Sequence, residues 1–178
     1  MARILLAGLV ALALCCASCS RREEGLAPGD VAPNFTLKTL DGQEMTLASF
    51  AGKGVLLNFW ATWCSPCVEE LPELQALYNK LQNSGFTIVG VGVDDSPERL
   101  REFQQRFGLS YPIVIDTTGT IKARYRIVGL PESYLLDREG RIVMVLDPLS
   151  NQPVTKFIGP RGWSSPAFEK LFAAALAK

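Results

Sequence analysis

Cys64 and Cys67 stand three residues apart in Trp63-Cys64-Ser65-Pro66-Cys67. Two thiols at that spacing can exchange a disulfide if both face one side of a first helical turn. The flanking sequence supplies that turn. Residues 55–60, Val-Leu-Leu-Asn-Phe-Trp, read as a buried strand, and Val68-Glu69-Glu70-Leu71 opens an amphipathic pattern. The cysteines therefore fall where a strand gives way to a helix. A helix N-terminus has unpaired N–H groups and a positive dipole end, and both favour a thiolate. Cys64 is then the nucleophile, with its sulfur exposed. Cys67 lies one turn further in, less accessible, with burial raising its pKa, and displaces what Cys64 has bound.

Two blander readings compete. A static bridge is common in exported proteins, but a loop this short gains least from closure. Half of a zinc site would need further ligands. The chain has no histidine, and beyond residue 19 no other cysteine. The same lack excludes imidazole acid–base chemistry and leaves no metal assignment. Lys plus Arg equals Asp plus Glu at 18 each, which argues against a nucleic-acid partner.

The N-terminus reads as an address. Arg3 precedes the apolar run of residues 4–14, and small residues follow, as in a secretory signal. Residues 1–19 are taken as that signal. Ala17-Ser18-Cys19 resembles a bacterial lipobox, with Cys16 where Leu usually stands. Cys19 is thus a candidate for lipidation, beside simple cleavage or an uncleaved anchor. Residues 20–27 are polar and aperiodic and read as a tether. Residues 28–178 have the length of one domain.

Within that domain, Asp41-Gly42 marks a hairpin between residues 35–38 and 45–47. After Cys67, the spacing puts Val68, Leu71, Leu74, Leu77, Tyr78 and Leu81 on one helical face, with a kink expected at Pro72. Residues 86–93 read as a strand buried on both faces. Asp94-Asp95-Ser96-Pro97 starts a helix that carries Leu100, Phe103 and Phe107 inward and ends near Gly108. Residues 111–115 form a short strand and 120–125 a short helix. Residues 133–136 and 142–146 flank Asp137-Arg138-Glu139-Gly140 as a second hairpin. Residues 154–158 read as an edge strand, and Ser165-Pro166 opens a last helix. The alternation argues an α/β fold, a central sheet with helices on both faces. The cysteines sit at the carboxyl end of a strand, where such folds place their sites.

The chain resembles the TlpA/ResA/DsbE group of exported thioredoxin-fold proteins over residues 28–178. The resemblance rests on Pro28-Gly29-Asp30-Val31-Ala32-Pro33-Asn34-Phe35, on the stretch from Asn58 to Cys67, on Val128-Gly129-Leu130-Pro131-Glu132-Ser133-Tyr134-Leu135-Leu136-Asp137, and on Gly159-Pro160-Arg161-Gly162-Trp163. It implies a thioredoxin-like fold, a mixed sheet flanked by helices with an N-terminal β-hairpin extension. It implies a thiol–disulfide oxidoreductase outside the cytoplasm with no cofactor beyond its redox-active disulfide. Such proteins reduce protein disulfides, several of them in cytochrome c maturation, and draw electrons from a membrane or exported donor. By the same resemblance Cys64 attacks, Cys67 resolves, and Pro131 is a cis-proline beside the disulfide that offers backbone to an extended substrate. Glu70 matches an acidic residue beside the site that could take the proton of Cys67. Trp63, as a lid at the rim of the site or as part of the core, and Ser65, Pro66 and Leu130 are candidates to border the substrate groove.

Two other functions share this fold. A peroxiredoxin resembles Pro-x-x-x-Thr-x-x-Cys at its reactive cysteine. Here Thr62 lies two residues before Cys64, and Asn58 stands near the proline position. A Cu(I)-binding chaperone would pair its cysteines with a distant histidine, which this chain lacks. Peroxide consumption identifies the first and stoichiometric metal retention the second.

Overall fold

The computed structural model describes residues 26–93 and 96–176. Cys15, Cys16, Cys19 and the Asp94-Asp95 helix start lie outside them. Nine strands form around four α-helices among the described residues: β1 (Thr36–Thr39), β2 (Glu44–Thr46), β3 (Gly54–Trp60), α1 (Ser65–Leu81), β4 (Phe86–Gly92), α2 (Pro97–Phe107), β5 (Ile113–Ile115), α3 (Thr120–Arg124), β6 (Glu132–Leu136), β7 (Val145–Leu146), β8 (Pro153–Val154), β9 (Phe157–Ile158) and α4 (Pro166–Leu176).

The main sheet has the order β2-β1-β5-β4-β3-β6-β9. Its centre is the parallel pair β3 and β4, buried at every position. Their unbroken apolar runs are what a strand covered on both faces requires. β5 continues the parallel part, while β6, β9 and the β1–β2 hairpin are antiparallel, so the sheet is mixed.

Alternation along β3 divides the core. Leu56 and Trp60 join a cluster with Leu71, Leu74 and Leu77 of α1, Leu100 of α2, and Phe168 and Phe172 of α4. Val55, Leu57 and Phe59 join the opposite cluster, with Ile121 of α3 and the N-terminal Ala32 and Phe35. Helices thus cover both faces, as expected. Asn58 has the parity of Leu56 and Trp60, so it points toward α1. Helix α1 is assigned without a break across Pro72, which is exposed. Helix α2 is capped by Ser96, whose hydroxyl accepts from Arg99 N–H, and ends at Gly108 with φ 60°.

The segment after β6 differs from its reading. The turn at 137–140 forms, with Asp137 Oδ1 accepting from Glu139 and Arg141 N–H. Only one bridge, Leu136 to Ile142, then follows. β7 leaves β6 and pairs instead with β8 as a separate two-stranded ribbon. The strand expected over 154–158 is correspondingly split. Its second half, β9, holds the sheet edge beside β6. Long-range contacts cause the split. Phe157 packs into an aromatic cluster with Trp163 and Phe168, and Lys156 pairs with buried Glu132. The strand expected over 111–115 shortens to β5, as Pro112 lacks an N–H for the ladder.

Candidate active site

Cys64 is the N-cap of α1 and keeps extended backbone angles, φ −91° and ψ 99°. Ser65 and Pro66 occupy the first turn, where a missing proline N–H is harmless. Cys64 and Cys67 are joined by a disulfide, with their Cα atoms 5.3 Å apart. Cys67 N–H points at Cys64 Sγ, 3.3 Å away. That N–H is one of the unpaired donors of the helix start, so it would stabilise a Cys64 thiolate after reduction.

Exposure follows the expected order but not the expected amount. Cys64 is 6% exposed and Cys67 is fully buried. Cys64 belongs to the same apolar cluster as Cys67 and Leu71, against which half-buried Leu130 packs. That packing covers a sulfur that the sequence reading leaves open. Trp63 is 65% exposed beside it and forms a rim rather than core. Ser65 is exposed, with its hydroxyl 3.2 Å from Glu69 Oε1, and Pro66 is half-buried.

The Leu130–Pro131 peptide is cis, as the resemblance implies. The Pro131 carbonyl accepts from Gly159 N–H at 2.9 Å, so it is already engaged. The Leu130 N–H and carbonyl have no hydrogen-bond partner among the described residues. The preceding turn is tied down by Glu132, whose Oε1 accepts from Val128 N–H and Gly129 N–H at 3.1 and 2.9 Å. Its other oxygen pairs with Lys156 at 2.6 Å.

Glu70 is 2% exposed, one turn beyond Cys67. Asn58 Nδ2 donates to its Oε1 at 2.9 Å. Trp163 Nε1 and Arg161 N–H donate to its Oε2, at 2.8 and 3.2 Å. Burial pushes its pKa up to about 7, against the opposing pull of these donors and the Arg161 charge. The carboxyl therefore changes protonation near neutral pH. Asn58 also reaches Ser133 Oγ at 3.0 Å, two residues past Pro131.

Asn58, Ser133, Arg161, Trp163 and Lys156 carry no role in the sequence reading. Asn58 left a signal as the one polar residue in the run 55–60, and Ser133, Arg161 and Trp163 stand in stretches that carry the resemblance, but without a role. Lys156 left none, and only the fold brings these side chains to the site.

A two-cysteine N-cap, a neighbouring cis-proline and this sheet order define a thioredoxin-like thiol–disulfide exchange protein. The comparisons narrow the class. The chain belongs to the AhpC/TSA family, whose model matches residues 28–145, and within it to the TlpA/ResA/DsbE-like thiol–disulfide oxidoreductases. It is similar to the thiol-disulfide oxidoreductase ResA of Bacillus thuringiensis, 38% identical over 122 residues, which covers 68% of this chain and 70% of that one. ResA of Bacillus subtilis is 36% identical over 124 residues, 70% of this chain and 69% of the relative. A solved Chlorobium tepidum structure, described as a thiol:disulfide interchange protein DsbE, superposes with a TM-score of 0.72 at 28% identity. It covers 85% of this chain and 99% of that one. The protein is a thiol–disulfide oxidoreductase, of a family that works through a redox-active disulfide.

Proposed function

We propose that this protein is an exported reductant of protein disulfides, with Cys64 as nucleophile and Cys67 as resolving thiol. The observation that carries the reading is a capping Cys64 bonded to buried Cys67, with the Glu70 carboxyl one turn on. In the reduced protein, the Cys64 thiolate attacks one sulfur of a substrate disulfide. The other substrate sulfur leaves as a thiolate and takes up a proton. Glu70 accepts the proton of Cys67, and the Cys67 thiolate attacks Cys64 Sγ. The second substrate sulfur leaves and is protonated. Two electrons and two protons pass to the substrate, and the Cys64–Cys67 disulfide closes. A donor dithiol, supplied by a membrane or exported protein, then restores the thiols.

The substrate backbone would meet the unpaired Leu130 main chain, with Pro131, Trp63, Ser65 and Pro66 bordering the groove. Reduced apocytochrome thiols during cytochrome c maturation are the product class that the resemblance favours. The N-terminal pattern supports export, with residues 1–19 as the signal region, 20–27 as tether and 28–178 as the working domain; Cys19, the last residue of that region, is the lipid attachment point if cleavage falls before it. Among the described residues, no helix is long and apolar enough to cross a membrane.

Insulin reduction by the reduced protein tests the reading. Activity should be lost in Cys64→Ser, and peroxide should not be consumed. Direction is read from the reduction potential, where about 30 mV is worth about 1.4 kcal/mol. A potential near that of thioredoxin supports a reductant; one near that of DsbA overturns it.

A further inference from the structure

The loop of residues 159–164 is fastened along α1 at successive turns. Arg161 N–H and Trp163 Nε1 donate to Glu70 Oε2. Ser164 N–H and its hydroxyl donate to Glu73 Oε2. Residues three apart share a helix face, so α1 presents both acceptors to one strip of loop. The loop is itself braced. Arg161 Nη1 donates to the carbonyls of Ile158, Gly159 and Pro160, and Nη2 pairs with Asp147 at 3.1 Å.

Trp163 is fully buried. Its ring meets Phe157 edge-on at 5.2 Å and Phe168 at 5.0 Å. The indole cannot turn from Glu70 without unpacking this cluster. Packing alone does not require a tryptophan here, since another aromatic ring would serve it. The feature that reaches the carboxyl is the N–H. Asn58 of β3 holds the other carboxyl oxygen. The two oxygens of Glu70 are therefore pinned from different parts of the fold, which fixes the plane of the carboxyl on the turn after Cys67.

We propose that Trp163 is a positioning residue for the proton transfer at Cys67, its indole N–H holding Glu70 as an oriented carboxylate able to accept. This rests on the reading of Glu70 as the base for Cys67. A donor to a charged acceptor favours the charged form, whereas burial favours the neutral acid. The other groups facing Glu70 do not replace the indole. Arg161 adds a favourable charge, and the buried phenol of Tyr111 stays neutral, its ionisation opposed by burial and by Glu70. Without the N–H, burial is opposed by fewer donors and the neutral acid gains further, and a protonated Glu70 cannot accept the proton of Cys67.

The test uses the reduced full-length protein in two variants. Trp163→Phe keeps an aromatic ring. Benzothienylalanine at position 163 keeps the bicyclic shape and replaces N–H by sulfur. Carbon-13 NMR follows the Glu70 carboxyl as pH changes. Stopped-flow reaction with an aromatic disulfide (one that releases a coloured thiol) separates first attack by Cys64 from resolution by Cys67. The carboxyl midpoint and the midpoint of resolution should both rise by about one pH unit. Resolution at pH 7 should slow about fivefold, with first attack unchanged. A carboxyl that titrates as in the wild type, in either folded variant, overturns the proposal. So does slowing that is equal at every pH, since that is the mark of packing alone. If the carboxyl midpoint moves while resolution is unaffected, in these variants and in Glu70→Gln, the base reading of Glu70 fails. The part of Trp163 in the reaction then falls with it.

Discussion

Glu70 holds a carboxyl where water cannot reach, and this ties stability to pH. Its pKa is about 7 in the fold against an ordinary 4.5. Between those values the folded chain keeps a proton that the unfolded chain releases. The stabilising contribution is therefore fully present below about pH 4.5 and is lost as pH rises through 7. At about 1.36 kcal/mol per pH unit, the loss is about 3 kcal/mol. Urea unfolding of the oxidised protein at pH 5 and pH 8 should show that decline in the wild type. Glu70→Gln, which cannot titrate, should remove most of it; a variant that kept the full decline would refute the burial argument. The resolution rate should run the other way, rising with pH as the carboxylate forms. The chemistry of Cys64 and Cys67 was legible in the sequence because three-residue spacing and a strand-to-helix junction are local facts. The hold on Glu70 was not legible. Its donors Asn58 and Trp163 stand 12 and 93 residues away, and only the fold brings them to one carboxyl.

Strands β3 and β4 were legible because burial on both faces demands continuous apolar runs, helices α1 and α2 because their caps and spacing agree, and α4 because a proline opens its first turn. The ribbon of β7 and β8 was not, since its pairing depends on where Lys156 and Phe157 are held rather than on local pattern. Lys156 matters also for the turn before Pro131. Glu132 is fully buried, holds two N–H groups of that turn, and has Lys156 as its ion partner. Lys156→Met should leave that carboxylate buried and unpaired, costing about 3 kcal/mol and weakening substrate attack. Thermal unfolding with insulin kinetics checks both; an unchanged midpoint would mean the pair contributes nothing. Packing between β4 and α2 offers a separate check. A Cβ on Gly92 would lie 2.7 and 2.8 Å from the Leu100 methyls. Gly92→Ala should cost about 1–3 kcal/mol by overpacking. Combined with Leu100→Ala, its cost should largely vanish, since the two side chains compete for one space. Additive losses would show that Gly92 is needed for its backbone instead.

At the scale of the whole molecule, the fold brings β3, the turn before β6 and the loop after β9 to one end of the sheet, around the first turn of α1. The balanced charge, 18 against 18, offers no general electrostatic attraction to anionic partners. Exposed Trp63 and Val128 provide apolar surface near the cysteines and the cis peptide in sequence. Export is checked by fractionation. Labelled palmitate should enter through Cys19, and lipidation that persists in Cys19→Ala would sink the anchor. The sharpest prediction separates the two thiols. Cys64 caps the helix and is slightly open, whereas Cys67 is fully covered. Cys67→Ser should still attack substrate disulfides but cannot resolve them, so mixed disulfides on Cys64 should accumulate in cells. Cys64→Ser should trap nothing, because its remaining thiol has no path to a partner. Non-reducing electrophoresis of both variants reads the outcome directly. Covalent partners on Cys64→Ser alone would reverse the roles, and the buried sulfur would have to emerge before attack. If neither variant trapped a partner nor reacted with a model disulfide, Cys64 and Cys67 would be a structural bridge. Partners released from Cys67→Ser by reductant would identify the substrates by mass, and thiols of a haem-attachment motif among them would support cytochrome maturation over general repair.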